Sequence, residues 1–253
     1  MAFLPSFHHR LTAQQGVLIA LLLVATVLNG VLWGQVRHVQ ARWTNVPPVP
    51  PAQTAAFAGL GDREFAFRIY GNMIENFGIV GGLATPLKDY NFDRLADWFY
   101  LQYALDPQSD HGPFLAAYVF GASQDPSKIG PLILYLEKAT EGGQGQKWRW
   151  LAQAAYLARF KRHDLDTALR LARKLAAFDN PDLPAWARQM PVFVMNEQGD
   201  KEAALGLMVS MLHTDADKLP PAEVNAMVAY ICEQILTPTE AKTNPLCQLP
   251  EKK

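Results

Sequence analysis

The expected fold rests on one stretch, Trp148-Arg149-Trp150-Leu151-Ala152-Gln153-Ala154-Ala155-Tyr156-Leu157-Ala158, which opens a helix–turn–helix segment. Its apolar residues recur at helical spacing, and a polar turn leads into a second helical pattern over 168–175. The same design returns from Trp186 to Met208, so that Ala168 and Ala204 hold equivalent places 36 positions apart. A period of about 34 residues made of helix, turn and helix predicts an α-solenoid.

The remaining patterns after residue 57 are also helical. Glycines and prolines separate them, and no segment alternates β-branched residues in the manner of a strand. In the first pattern, which Asp62 caps, Phe65, Ile69 and Met73 share one face. We therefore predict an all-α domain over residues 57–236, with about four antiparallel helix pairs and one closing helix in a right-handed array. The predicted helices are 62–76, 92–105, 114–121, 129–140, 148–158, 168–175, 186–195, 202–208 and 222–236.

Residues 16–36 form a long apolar segment near the N-terminus. From Val17 to Trp33 the sequence has no ionisable group in 17 residues, and with its flanks the helix would span about 30 Å. Two alternatives stay open: a buried helix, which would normally carry a polar stripe, and a cleaved signal peptide, which usually has a shorter apolar region. The pattern favours a single transmembrane anchor that contacts the lipid bilayer through residues 17–33.

Five residues in or near this segment suggest roles in a bilayer. Trp33 and Trp43 are expected to lie at the interface with water, where tryptophan is enriched. Small and polar residues mediate helix association in lipid, so Asn29, Gly30 and Gly34 form the candidate helix-packing face.

The segments that flank the anchor and the repeat domain are short. Residues 1–15 form a polar tail, and residues 37–56 form a Pro-rich spacer. Four prolines between 47 and 51 favour an extended polyproline segment, which would hold the domain about 15–20 Å from the bilayer. Residues 237–253 are predicted to form a Pro-rich C-terminal tail.

The two cysteines bear on the orientation of the chain. Cys232 and Cys247 would pair in an oxidising compartment, and two unrelated thiols are the alternative. Positive charge hardly distinguishes the two ends of the anchor, because Arg10 and the terminal amine precede it and Arg37 and Arg42 follow it. The disulfide interpretation predicts a cytoplasmic N-terminus, with the bulk of the chain in the periplasm.

Composition and motifs disfavour most chemistry. A net charge of −1 gives no global field for nucleic acid. The motifs His-Glu-x-x-His, Gly-x-Ser-x-Gly, Gly-x-x-x-x-Gly-Lys-Ser/Thr and Cys-x-x-Cys are missing, and the histidines are scattered. The aromatic run from Trp98 to Tyr103 has helical spacing, which favours core over a cofactor site. We therefore expect no catalytic residue, cofactor or metal, and an enzyme with an unrecognised site is the least favoured hypothesis.

A local excess of basic residues lies in the middle of the chain. Between Lys138 and Lys174 there are nine basic and three acidic residues. A solvated face is one interpretation, and a surface for anionic lipid or an acidic partner is the other. The candidate basic face consists of Arg149, Arg159, Arg162, Arg170 and Arg173.

Several short motifs resemble a known class of repeat. Leu105-Asp106-Pro107 resembles the end of a tetratricopeptide unit, and Gly199 with Ala204 matches the turn glycine and packing alanine of that motif. With the N-terminal anchor and the entry Gly59-Leu60-Gly61-Asp62, the chain resembles membrane-anchored bacterial tetratricopeptide-like proteins over roughly residues 57–212.

That resemblance implies a scaffold or assembly factor that docks partner proteins in a complex at the bacterial inner membrane. The alternative is an accessory subunit of a larger membrane enzyme, transport or secretion complex, whose anchor packs against other membrane helices. The sequence leaves the partner and any self-association open.

Overall fold

A computed structural model describes residues 13–37, 45–80, 83–141 and 145–248. The chain divides into two compact units, residues 1–43 and residues 44–253. Both are mostly helical, with almost no strand, so the predicted all-α class is confirmed. The predicted interfacial Trp43 lies outside the described residues.

The described part of the first unit is a single helix, α1, from Ala13 to Val36. Its segment Gln14–Val36 has a mean hydropathy of 2.3, and none of the residues in its most apolar 18-residue stretch is buried. By length and composition this helix can cross a membrane, as predicted.

The second unit opens with a short helix, α2 (Ala52–Ala55), and continues through a 3-10 turn into α3 (Arg63–Glu75). The carboxylate of Asp62 accepts hydrogen bonds from the backbone N–H groups of Glu64 and Phe65, at 2.9 and 3.1 Å. These bonds satisfy donors that have no partner within the helix, so α3 begins where the sequence predicted.

The buried face of α3 is not the one on which the sequence places Phe65, Ile69 and Met73. Phe65 is 50% exposed and Met73 is 37% exposed. The buried side chains are instead those of Ala66, Phe67, Tyr70 and Ile74. Both faces of this helix carry apolar residues, so their spacing alone could not show which face meets the core.

The other helices include one at or beside each other predicted helical segment, and the last of them follows the helix that was predicted to close the domain. They are α4 (Phe92–Leu105), α5 (His111–Phe114), α6 (Gly130–Lys138), α7 (Trp148–Tyr156), α8 (Leu165–Ala176), α9 (Ala185–Gln198), α10 (Lys201–Asp215), α11 (Pro221–Tyr230) and α12 (Pro238–Thr243). Three of them, α5, α7 and α11, continue into π-helical turns: Leu115–Val119, Leu157–Lys161 and Ile231–Ile235. Short 3-10 segments are Ala56–Gly59, Leu87–Asp89, Phe120–Ala122, Pro126–Ile129 and Pro245–Gln248.

A small hairpin lies where the sequence predicted only a loop. Strand β1 (Ile79–Val80) pairs antiparallel with β2 (Leu83–Ala84). Strands of two residues are too short to show an alternating pattern. Gly78 enters the hairpin with φ at +76°, and a Cβ atom there would collide with the hydroxyl of Tyr90.

Contacts between helices recur at a nearly constant sequence separation. The starts of α5, α7, α9 and α11 lie 36 or 37 residues apart. Hydrogen bonds and ion pairs join residues 32–40 positions apart, so helices also contact the helix two places further along the chain. Examples are Glu75–His111, Asp110–Lys147, Glu137–Arg170, Arg159–Glu197 and Asn196–Tyr230.

The proline segment is part of the folded domain, so the predicted spacer 37–56 is wrong from residue 45 onward. Val46 is 1% exposed, and the indole N–H of Trp98 donates to the carbonyl oxygen of Pro47 at 2.8 Å. The side-chain amide of Asn45 donates to the backbone oxygen of Asp89. Proline composition predicts an extended conformation, but it does not show which surface that conformation packs against.

Aromatic rings fill the core around α4, as predicted for the Trp98–Tyr103 run. Trp98 and Phe99 are buried. The ring of Phe99 stacks on Tyr135 of α6 with centroids 5.1 Å apart, whereas Tyr100 is partly exposed. A second, smaller cluster joins α9, α10 and α11, with Met208 and Met227 among its buried residues.

Replacing Trp98 with phenylalanine should release the proline segment. The substitution removes the hydrogen bond to Pro47 and part of a buried ring, so we expect a loss of about 2–3 kcal/mol in the free energy of unfolding. Amide hydrogen exchange at Val46 and Val49 should become faster. The control Trp186→Phe, at a half-exposed tryptophan, should leave the exchange at Val46 and Val49 unchanged. If these two amides exchange equally fast in the Trp98→Phe and Trp186→Phe variants, this account of the proline segment is contradicted.

Candidate interaction surfaces

One face of α1 carries a shallow notch of about 500 Å³. The hydroxyl of Thr26 donates to the backbone oxygen of Leu22 at 2.8 Å and so remains within the helix. Gly34 lies one turn beyond Gly30, and a Cβ at either glycine would meet no atom within 4 Å. Asn29 and Gly30 thus lie on one face of α1, and their role in helix packing stays a prediction. The notch is lined by Ala25, Thr26, Asn29, Gly30 and Trp33.

Trp33 also contacts a cation at the end of α1. The guanidinium of Arg37 lies 5.0 Å from the centre of the Trp33 ring. An aromatic ring and an arginine at one end of an apolar helix are typical of the boundary between hydrocarbon and headgroups.

The predicted basic residues do not form one uniform face. Arg170 makes two hydrogen bonds of 2.8 Å to the carboxylate of Glu137, and Arg159 forms an ion pair with Glu197. Both acids lie outside the sequence window in which the basic excess was counted. Helices α6 and α9 bring these acids to the arginines, so the excess is partly neutralised.

The three other predicted arginines have different surroundings. The guanidinium of Arg149 lies 5.7 Å from the centre of the Trp148 ring. Arg162 lies against Gly130, where a Cβ atom would collide with its guanidinium. Arg173 is exposed near the end of α8.

Glu137 joins α6 to α8 through two cations. Besides Arg170, Lys174 donates to its carboxylate at 2.9 Å, and the Glu137 side chain is only 16% exposed. The hydrogen bonds from Arg170 lower the pKa of Glu137 to about 2; burial acts against this shift and Lys174 adds to it. The cluster is therefore charged at neutral pH and stabilises the packing of the two helices.

A buried lysine fixes α7 to the loop before α5, and the sequence analysis did not identify it. The ammonium of Lys147 donates to the backbone oxygens of Gln108 and Ser109 at 2.8 and 3.2 Å, and to the carboxylate of Asp110 at 2.7 Å. The indole N–H of Trp150 donates to the same carboxylate at 2.7 Å. Burial alone would raise the pKa of Asp110, but these hydrogen bonds lower it overall. The only sequence signal was a lysine at the start of an aromatic helix.

Exposed aromatic side chains are concentrated on α5, α7, α9 and the turns that follow α5 and α7. The rings of Phe114 and Tyr118 are 5.3 Å apart, and those of Tyr156 and Phe160 are 4.9 Å apart. Large exposed rings are frequent at protein interfaces because they bury much area with little loss of conformational entropy. We refer to these residues as the aromatic surface: Phe114, Tyr118, Tyr156, Phe160 and Trp186.

The predicted Pro-rich C-terminal tail 237–253 is helical over most of its described residues, 237–248. Cys232 and Cys247 form a disulfide with their Cα atoms 5.8 Å apart. Thr237 and Glu240 form a capping box that starts α12. Leu246 packs against the cluster formed by α9 to α11. The disulfide thus joins the 3-10 segment Pro245–Gln248 to the π-helical turn that follows α11.

Comparisons with family models, with curated proteins and with solved structures find no match for this chain. The resemblance to tetratricopeptide-like proteins therefore remains a prediction. Within the described ranges, no group of three histidine, cysteine or acidic side chains converges as metal ligands.

Replacing Glu137 with glutamine should destabilise the protein in a pH-dependent way. The pKa of Glu137 is lowered by folding, so its stabilisation is present above an unfolded pKa of about 4.5 and is lost as pH falls toward 2. Because Arg170 and Lys174 are half exposed, we expect a difference of about 1–2 kcal/mol at pH 7.

Chemical denaturation of both proteins from pH 7 to pH 3 measures this difference. The exposed pair of Lys138 and Glu141 provides the control, since Glu141→Gln should change stability by less than about 0.5 kcal/mol. A deficit in Glu137→Gln that does not shrink on acidification would refute the assignment.

Reduction of the disulfide should release the C-terminal helix. A crosslink that closes a loop of 15 residues stabilises a fold by about 3 kcal/mol in the chain-entropy model. In thermal unfolding, reductant should lower the Tm of the natural chain. It should not lower the Tm of a Cys232→Ser, Cys247→Ser double variant. An equal effect of reductant on both proteins would contradict this role.

Proposed function

We propose that this protein is a membrane-anchored scaffold of the tetratricopeptide-like α-solenoid class, which docks other proteins beside a bilayer. The recurrence of contacts 33–38 residues apart between helices two places apart carries the proposal. A stack of two-helix units, each contacting only its neighbours, produces such a separation. Catalysis has no part in this proposal.

Details of the α9–α10 turn support the comparison with tetratricopeptide units. Gly199 ends α9 with φ at +86°, a conformation that glycine adopts without steric conflict. Ala204 is fully buried in α10, and Ala168 is fully buried at the equivalent place in α8. A small residue at this position allows close packing of the two helices in a unit.

The apolar surface of α1 supports a role as an anchor. Its leucines and valines are exposed on all sides, which water would not favour but hydrocarbon would. The disulfide between Cys232 and Cys247 favours an oxidising compartment for the second unit. We accordingly propose a cytoplasmic N-terminus and a periplasmic domain at a bacterial inner membrane.

A second candidate function is an accessory subunit held in a larger membrane complex by α1. The notch at Ala25–Trp33 favours it, because the amide of Asn29 gains a hydrogen-bond partner when another helix covers it. In this candidate the membrane helix provides the main interface, whereas in the first the aromatic surface does.

Affinity capture of the full chain in mild detergent should return a defined membrane partner. Tyr156→Ser and Phe160→Ser together should lower its recovery at least tenfold, because they remove one pair of adjacent exposed rings from the aromatic surface. Leu134→Ser, at an exposed leucine of α6, provides the matched control and should retain the partner. A clean monomer in every detergent would contradict the scaffold proposal.

Gly30→Leu with Gly34→Leu distinguishes the second candidate. These changes fill the face of α1 that would approach another helix, so recovery of the partner should fall at least tenfold if α1 is the interface. Gly16→Leu introduces the same bulk more than two turns before the notch and should have no effect. Unchanged recovery in the double variant favours a simple anchor.

A further inference from the structure

The turn between α2 and α3, together with the first turn of α3, carries apolar side chains that the rest of the domain leaves uncovered. We refer to Phe57, Leu60 and Phe65 as the flank. Leu60 is 93% exposed and Phe57 is 73% exposed, while Phe65 lies half exposed in the first turn of α3. Repeat arrays normally carry a polar outer face on their terminal units, because an apolar end would aggregate. This end of the domain instead presents three large apolar side chains within nine residues.

The backbone at Leu60 holds this side chain outward. Leu60 has φ at +55° and ψ at 31°, the left-handed conformation in which a bulky residue is uncommon. Its backbone N–H donates to the oxygen of Phe57 at 3.0 Å and closes the 3-10 turn. Glycine is the usual residue in this left-handed conformation at the end of a helix, so the turn itself does not require a leucine side chain.

A cavity of about 400 Å³ adjoins this turn and contains one cation. The guanidinium of Arg63 donates to the backbone oxygens of Ala104 and Leu105, at 2.5 and 3.4 Å, and so is fixed at the end of α4. The combination of apolar walls and one held guanidinium suits a phosphate group that carries hydrocarbon. Its walls are formed by Ala52, Gln53, Ala56, Arg63, Leu101 and Ala104, with Leu105 at the edge.

The chain before this flank limits what can lie against it. Residues 45–51 are packed into the domain, so they cannot act as a stand-off from a bilayer. Only seven residues, 38–44, separate Arg37 from the packed segment in the sequence. The flank therefore belongs to the part of the domain nearest in the chain to the proposed anchor.

We propose that Phe57, Leu60 and Phe65, with the Arg63 cavity, form a site that docks on the surface of a phospholipid bilayer. The apolar side chains enter the headgroup region, and Arg63 binds a lipid phosphate. This inference rests on the proposed anchoring by α1. It adds a second contact with the membrane, made by the folded domain.

Photocrosslinking of the full chain tests this site. Phe57 or Leu60 is replaced by p-benzoylphenylalanine, and the protein is reconstituted in nanodiscs of phosphatidylethanolamine and phosphatidylglycerol. Irradiation should give adducts with the mass of one phospholipid. The same replacement at Leu134 or Phe160, which are exposed elsewhere on the domain, should give at least fivefold less adduct. A dimer adduct, no adduct, or equal lipid adducts at all four positions overturns the proposal.

Leu60→Gly provides a variant that keeps the turn. Glycine adopts the left-handed conformation readily, so the Tm should stay constant or rise, while the lipid adduct from position 57 should fall severalfold. An unchanged yield contradicts the proposal. Carbonate extraction of cell membranes that contain the same variants tests α1 separately: extraction of the chain refutes the anchor, whereas a retained chain without lipid adducts refutes only the docking site.

Discussion

The packing of consecutive helices, together with side-chain contacts between helices two places apart, is the constraint on which this structure depends. It is made by specific side chains as well as by apolar area. Glu137 of α6 bonds to Arg170 of α8, and Lys147 at the start of α7 bonds to Asp110 before α5. In each of these two contacts the partners are 33 or 37 residues apart, so the contacts fix the order of the helices that they join.

Each end of the folded domain includes a proline-containing segment, residues 45–51 and 237–248, whose packing could not be predicted from its composition. At the N-terminal end the proline segment is fixed by the indole of Trp98, and at the C-terminal end the disulfide holds α12. Val46 and Leu246 of these segments pack with the apolar clusters of the domain. The turn at Leu60 remains uncovered, and this asymmetry is the reason for assigning it a role at a membrane.

Local signals in the sequence predicted the helices well. The bounds of α4 were obtained from its aromatic spacing and the Asp106-Pro107 stop, and the start of α3 from its aspartate cap. Facing partners were harder to predict. The basic excess was overestimated because Glu137 and Glu197 lie outside the counted window and reach it only through folding.

Zero-length carbodiimide crosslinking of the full chain, read by mass spectrometry, tests the central claim most directly. The account predicts that Lys147–Asp110 and Lys174–Glu137 are among the strongest intramolecular links, because their charged atoms are 2.7 and 2.9 Å apart and each pair is separated by 37 residues. If neither link is detected and the strong links instead join residues at sequence separations far from 37, a stacked order of helices is contradicted.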